Sequence, residues 1–162
     1  MFSINQLTVL PPQMADLERE ASAQGFNFVG RLIDEWRGGS NRFNKPGERL
    51  LEVTDKGNLV GIGGLNVDPY IMDGITGRLR RLYVAKDFRR RGIGEALVLE
   101  LLRNASLHFR QVRLSTDTEA AAVFYSRLGF RAVEDETATH CESAVTSDRF
   151  ADDRMALVGK SH

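Results

Sequence analysis

Between Arg78 and Arg91 the sequence carries seven cations (Arg78, Arg80, Arg81, Lys86, Arg89, Arg90 and Arg91) and one anion, Asp87. The whole chain has 22 Lys and Arg against 22 Asp and Glu, so this +6 segment is balanced by −6 elsewhere. Such a field favours an anionic ligand such as a phosphate, a nucleotide or a nucleic acid, although a solvated basic face gives the same count. The order of residues separates these readings. Leu82-Tyr83-Val84 has strand character, and a short loop leads to Arg89-Arg90-Arg91-Gly92-Ile93-Gly94 and then to apolar residues at helical spacing. A glycine-rich turn therefore opens a helix, where four backbone N–H groups have no intrahelical partner. Gly92 and Gly94 carry no Cβ, so an oxyanion can approach the amides, and the helix dipole adds about 0.3–1 kcal/mol for an exposed charge. This reads as a pyrophosphate cradle.

Competing motifs do not fit. The sequence has no Walker loop. Gly61-Ile62-Gly63-Gly64 fails as a dinucleotide fingerprint, because Asn66 stands at the third glycine position and a loop follows. Those glycines read as a strand bulge or a close backbone approach.

The elements that must position the cradle can be read from periodicity. A strand over residues 3–10 is stopped by Pro11-Pro12, and a helix over about 14–23 ends near Gly25. Asn27 is a candidate N-cap for a helix carrying Phe28, Val29, Leu32, Ile33 and Trp36, which Gly38-Gly39-Ser40-Asn41 stops. Strands over 48–54 and 58–67 join through Lys56-Gly57-Asn58 as an antiparallel hairpin. Residues 68–76 read as a loop and 79–84 as a strand. A largely buried helix is expected from Gly92 to about Phe109, then a strand over 112–117. A helix with Ala121, Phe124, Tyr125 and Leu128 on one stripe closes at Gly129, followed by strands over 130–133 and about 139–145. The polar tail 146–162 holds one apolar stretch, 155–158, that fits a short strand or a swapped arm. The class is α/β or α+β with a mixed sheet and one core.

At this point the residues resemble a family. Arg89-x-x-Gly92-x-Gly94 after a strand ending Leu-Tyr-Val is similar to the acetyl-coenzyme A motif of the GNAT N-acetyltransferase superfamily. A second family block, Phe-Tyr-x-x-x-Gly-Phe, is matched by Phe124-Tyr125-Ser126-Arg127-Leu128-Gly129-Phe130, about thirty residues further on. The likeness runs in order and spacing over about residues 50–133. It implies a single domain over 1–145, with a mixed, mostly antiparallel sheet, splayed central strands and about four flanking helices.

The resemblance also implies chemistry. Main-chain groups of Leu82, Tyr83 and Val84 would hold the pantetheine arm, one N–H polarising the thioester carbonyl. Arg89, Arg90, Arg91, Gly92, Ile93 and Gly94 would hold the pyrophosphate, and Thr118 stands where the family tends to place a cofactor-contacting asparagine. Tyr125 would be the general acid for the departing thiolate; a core position is the plainer reading, since it shares a stripe with Ala121 and Leu128. Transfer would be direct, without Cys141 as nucleophile. The family often has a glutamate where Arg78 stands, which leaves the base open between water, another carboxylate and His140. Trp36, Asn41, Phe43, Asp68, Tyr70 and Asp73 would line the acceptor side.

The expected activity is acetyl transfer from acetyl-coenzyme A to a primary amine of a small molecule or peptide, without a metal. The alternative is a non-catalytic coenzyme A-binding or sensing module of the same fold. Nucleic-acid binding is a third reading, opposed by the intact glycine turn and by the lack of paired stacking aromatics. The longest apolar runs fall far short of the roughly 20 residues of a membrane span. The first residues lack the basic and apolar regions of a secretory signal, and the single cysteine suits a reducing cytoplasm. The family's habit of dimerising leaves a homodimer open.

Overall fold

The computed structural model describes residues 1–144. The expected tail, 146–162, with its strand or swapped arm over 155–158, lies outside the described residues, as does Val145. In chain order the elements are β1 (Phe2–Gln6), α1 (Met14–Ala23), α2 (Phe28–Gly38), β2 (Arg49–Asp55), β3 (Asn58–Val67), β4 (Thr76–Val84), α3 (Ile93–Leu102), β5 (Gln111–Leu114), α4 (Glu119–Arg127), β6 (Arg131–Asp135) and β7 (Ala138–Ser143). They build a seven-stranded sheet in the order β1-β2-β3-β4-β5-β7-β6, antiparallel at every neighbour except β4–β5. The β2–β3 turn has Lys56 and Gly57 both at positive φ, 50° and 81°. Two such residues match the twist of the flanking strands, which is why this hairpin is tight.

Adjacent strand residues point to opposite faces. At Gly63 an added Cβ would press on Leu97 and Leu101 of α3, whereas at Gly64 it would overlap the Phe43 ring. The long apolar helix α3 therefore covers one face. The other is covered by α1 and α2, which pack on each other and on β3 and β4, and by the loop that carries Phe43. Phe43, 3% exposed, is a core residue rather than a lining of the acceptor side.

Four boundaries differ from the sequence expectation, the first being β1, which ends at Gln6 rather than running to Leu10. Helix α3 stops at Leu102, not near Phe109: Arg103 is extended and Asn104 left-handed, and Ala105–Leu107 form a 3-10 turn. Ala105 and Phe109 keep the helical spacing because both are buried, Phe109 against Gly77. Strand β4 begins at Thr76, inside the expected loop, and β5 ends at Leu114, short of Asp117. Asn27 precedes α2, but its side chain makes no capping bond.

The glycines of β3 are there for space. Gly64→Ala should lower stability by about 1–3 kcal/mol through overpacking against Phe43. Urea denaturation checks this, with a lower midpoint and an unchanged slope.

Candidate active site

The sheet is open in its middle. Strands β4 and β5 pair only at Thr76–Gln111, Gly77–Val112 and Arg78–Arg113. Beyond Leu114 the chain is drawn to the β6–β7 hairpin: Thr116 N donates to Thr139 Oγ1 at 3.0 Å, and Ser115 Oγ to the Thr137 carbonyl at 3.2 Å. The edge of β4 from Leu79 to Val84 is left without a strand on that side. Within this edge Arg81 is left-handed, φ 61°, and Arg81 and Leu82 together oppose Gly63. That bulge re-aims the strand. It turns the Arg81 guanidinium to Glu35 of α2, 2.5 Å away.

The loop from β4 to α3 is fastened at both ends. Ala85 N donates to the Val60 carbonyl at 2.8 Å, and Arg89 folds back, Nε to the Val84 carbonyl at 3.0 Å and an Nη to Gln24 Oε1 at 2.9 Å. Arg89 also lies over the Tyr83 ring, 5.3 Å from its centre, so its contacts are mainly structural. Arg90 and Arg91 are exposed, Arg91 stacked on Phe88 at 5.0 Å. Arg90 and Gly92 are left-handed, φ 63° and 77°, and nothing lies within 4 Å of a Cβ placed on Gly92. The α3 N-terminus, with Ile93 buried behind it, is thus open to an approaching anion. Gly94 differs: its Cβ position lies 3.5 Å from Phe124 Cζ and 3.9 Å from Val84, so it joins α3 to α4.

Tyr83 turns its ring between Phe26 and Phe28. Its hydroxyl donates to the Glu20 carboxylate and accepts from Gln24 Nε2 at 2.9 Å. Burial, then the Glu20 hydrogen bond and charge, push this phenol up to about 12. Its side chain is therefore spent on anchoring α1, which leaves only main-chain groups facing the gap.

Helix α4 begins at Thr118, whose hydroxyl accepts from Ala121 N at 3.2 Å. The cap uses the oxygen that was expected to touch a cofactor. Tyr125 is 8% exposed and edge-on to Phe124 and Phe130, with ring centres 5.0 and 5.7 Å away. Burial raises its pKa far above the usual phenol value. Its hydroxyl makes no hydrogen bond among the described residues, and its oxygen is not fully sealed from solvent.

On the α1–α2 face, Asp68 is not an exposed loop carboxylate. It is 1% exposed and accepts from both Arg78, 3.2 Å, and Arg113, 3.3 Å. Arg78 stacks on Tyr70 at 4.9 Å. Asn41 pairs with Asn66, which also donates to Glu48, and so fixes the loop after α2 to β3. Asp73 closes its own turn through Ile75 N, Thr76 N and Thr76 Oγ1. Trp36 packs partly buried against the core. Of the expected acceptor-side residues, Tyr70 and Asp73 are exposed, Tyr70 to 56%, and Asp73 is committed to its own turn. His140 pairs in register with Leu114, and Arg113 with Cys141, so His140 lies on the face opposite Arg113 and Arg78. Sequence reading missed Arg80, half-buried on the open edge; the signal was three cations in four residues within a strand.

The splayed mixed sheet, the glycine turn at α3 and the aromatic pair of α4 define an acyltransferase fold. Residues 46–132 match the family model of the acetyltransferase (GNAT) domain, and the chain belongs to that family. A protein from Exiguobacterium sp. 255-15 assigned as an acetyltransferase has a similar structure, with TM-score 0.80 and 29% identity over 94% of this chain and 98% of that one. One from Desulfovibrio desulfuricans assigned to the GNAT family gives 0.69 at 20% identity, over 89% and 99%. A tyrosine-to-phenylalanine mutant of the toxin AtaT, bound to the C-terminus of the antitoxin AtaR and acetyl-CoA, gives 0.67 at 17%, over 92% and 97%. No helix among the described residues is long and apolar enough to cross a membrane.

The Tyr83 geometry has a consequence at high pH. The phenol ionises near 10 unfolded and about 12 folded. The unfolded state therefore binds fewer protons in between, so this stabilisation, complete below pH 10, is lost as pH rises towards 12. Urea midpoints of the wild type should fall more steeply over that window than those of Tyr83→Phe.

Proposed function

We propose that this protein transfers an acetyl group from acetyl-coenzyme A to a primary amine of a small molecule or peptide. The observation that carries the reading is the unpaired β4 edge, Leu79 to Val84, running into the open N-terminus of α3. A neighbour of the same fold holds acetyl-CoA, which supports the choice of acyl donor. The exposed Arg90 and Arg91 and the amides at Gly92, Ile93 and Gly94 fit a diphosphate. Main-chain groups of Leu82, Tyr83 and Val84 suit an amide-bearing arm laid along the strand, as a missing β5 partner would be, with the Val84 carbonyl already accepting from Arg89 Nε. Thr118 contributes through the cap that fixes the start of α4.

Acetyl-coenzyme A supplies an activated thioester. In the transfer the amine nitrogen forms a C–N bond to the acetyl carbon and the C–S bond breaks. Tyr125 suits the role of proton donor to the departing sulfur. Its hydroxyl is uncommitted, and burial disfavours a standing phenolate that would repel a thiolate. We route the amine's own proton to water in the gap, because Glu35 and Asp68 are already engaged by Arg81, Arg78 and Arg113, and Glu20 and Glu48 by Tyr83 and Asn66. We assign the reaction to the cytoplasm, which the lone buried Cys141 suits, with neither nucleic acid nor membrane as partner.

Calorimetry at millimolar acetyl-coenzyme A should give a binding isotherm; absence of heat would sink the reading. Free-thiol release across an amine panel then separates an enzyme from a coenzyme A sensor. Tyr125→Phe should lower kcat by about 100-fold with a much smaller loss of acetyl-coenzyme A affinity. Turnover equal to the wild type would remove Tyr125 from the acid role.

A further inference from the structure

Of the four arginines that β4 and β5 bring together on the α1–α2 face, carboxylates engage three. Arg78, Arg80 and Arg81 come from β4, and Arg113 lies beside Arg78 on β5. Asp68 holds Arg78 and Arg113, Asp135 also holds Arg113, and Glu35 holds Arg81. Arg80 makes no hydrogen bond or ion pair among the described residues, although its side chain is half-buried.

Its placement is informative. Arg80 pairs in register with Gly64, whose missing Cβ faces Phe43, so it lies on the face opposite α3. The diphosphate cradle at the α3 N-terminus therefore does not claim it. It lies in the unpaired β4 edge, between the Tyr70–Arg78 stack and the Arg81 bulge. Burial, and then the repulsion of Arg81, hold its pKa below the usual value, against an attraction to Glu35 that outweighs the repulsion of Arg78. A half-buried guanidinium with like charges on both sides carries a desolvation cost that an incoming anion would relieve. The planar fork fits a carboxylate with two parallel hydrogen bonds.

Resting on the acetyltransferase reading, we propose that Arg80 determines acceptor specificity by binding a carboxylate carried by the amine substrate. The acceptor class is thus an amino acid or an acidic peptide N-terminus, not a polyamine or other cationic amine, which the uncompensated Arg80 repels. Tyr70, exposed beside Arg78, offers the adjoining apolar wall.

The test uses matched acceptors and thiol release at saturating acetyl-coenzyme A. Glycine is compared with glycinamide, L-glutamate with L-glutamine, and a peptide beginning with aspartate with one beginning with asparagine. The free amino acids and the peptides tell the two sources of the carboxylate apart. In at least one pair the carboxylate member should be favoured by about 10–100-fold in kcat/KM, carried mainly by KM. Arg80→Gln should bring that ratio close to one, and Arg80→Lys should restore part of it. Equal or reversed preference in every pair, or no acetylation of any carboxylate amine by protein that binds acetyl-coenzyme A, overturns the proposal. A wild type that gives no calorimetric heat with acetyl-coenzyme A instead overturns the reading beneath it.

Discussion

The structure depends on how soon β4 and β5 part. Three register pairs join them at Thr76, Gly77 and Arg78, and then β5 is drawn towards β7 while β4 continues to Val84. A sheet that closed this seam would satisfy its edge and bury the strand. Leaving it open exposes a row of backbone donors and acceptors, a cost that a fold normally avoids. Here the open edge leads through the 3-10 turn Lys86–Phe88 to the glycine turn of α3, with Arg89 holding the Val84 carbonyl between the strand and the helix amides.

The seam stays open because its root is firmly held. Arg78 and Arg113 are neighbours in the parallel register, and their repulsion would push the strands apart where they must meet. Asp68, itself 1% exposed, accepts from both. Two buried guanidiniums sharing one carboxylate need further partners. Ser115 accepts from Arg78, while Asp135 and Thr137 accept from Arg113. This network ties the 68–75 loop, the end of β5 and the β6–β7 hairpin into one unit. Removing a single member would strand a buried charge, an effect of about 3–5 kcal/mol and larger than any surface pair here.

Much of this was legible in the sequence, for physical reasons. The α1, β3 and α2 assignments rest on strong periodicity bounded by proline and glycine, and the β2–β3 hairpin on Lys56-Gly57. The glycine turn was visible because few other arrangements put an arginine run before Gly-x-Gly at a helix start. What escaped was set by tertiary contacts. Phe109 keeps a helical spacing yet follows a left-handed Asn104, since core burial alone dictates its position. Asp68 read as a loop residue of the acceptor side because its partners lie 10 and 45 residues away. Arg80 escaped because the bulge at Arg81, which decides its face, depends on the pairing with β3.

The basic segment shows how far a charge count can mislead. Read as one stretch of +6, it fits a continuous polyanion such as a nucleic acid, which needs its cations on one exposed surface. In the fold they divide. Arg78 and Arg81 are consumed by Asp68 and Glu35, and Arg89 by Gln24 and the Val84 carbonyl. Lys86, Arg90 and Arg91 are exposed around the turn into α3, while Arg80 lies on the opposite face of the sheet from that helix. A strand–turn–helix segment separates neighbouring cations by the thickness of the sheet. The charge therefore forms two small anion-seeking patches on either side of the gap, and a rod-like polyanion could not reach both.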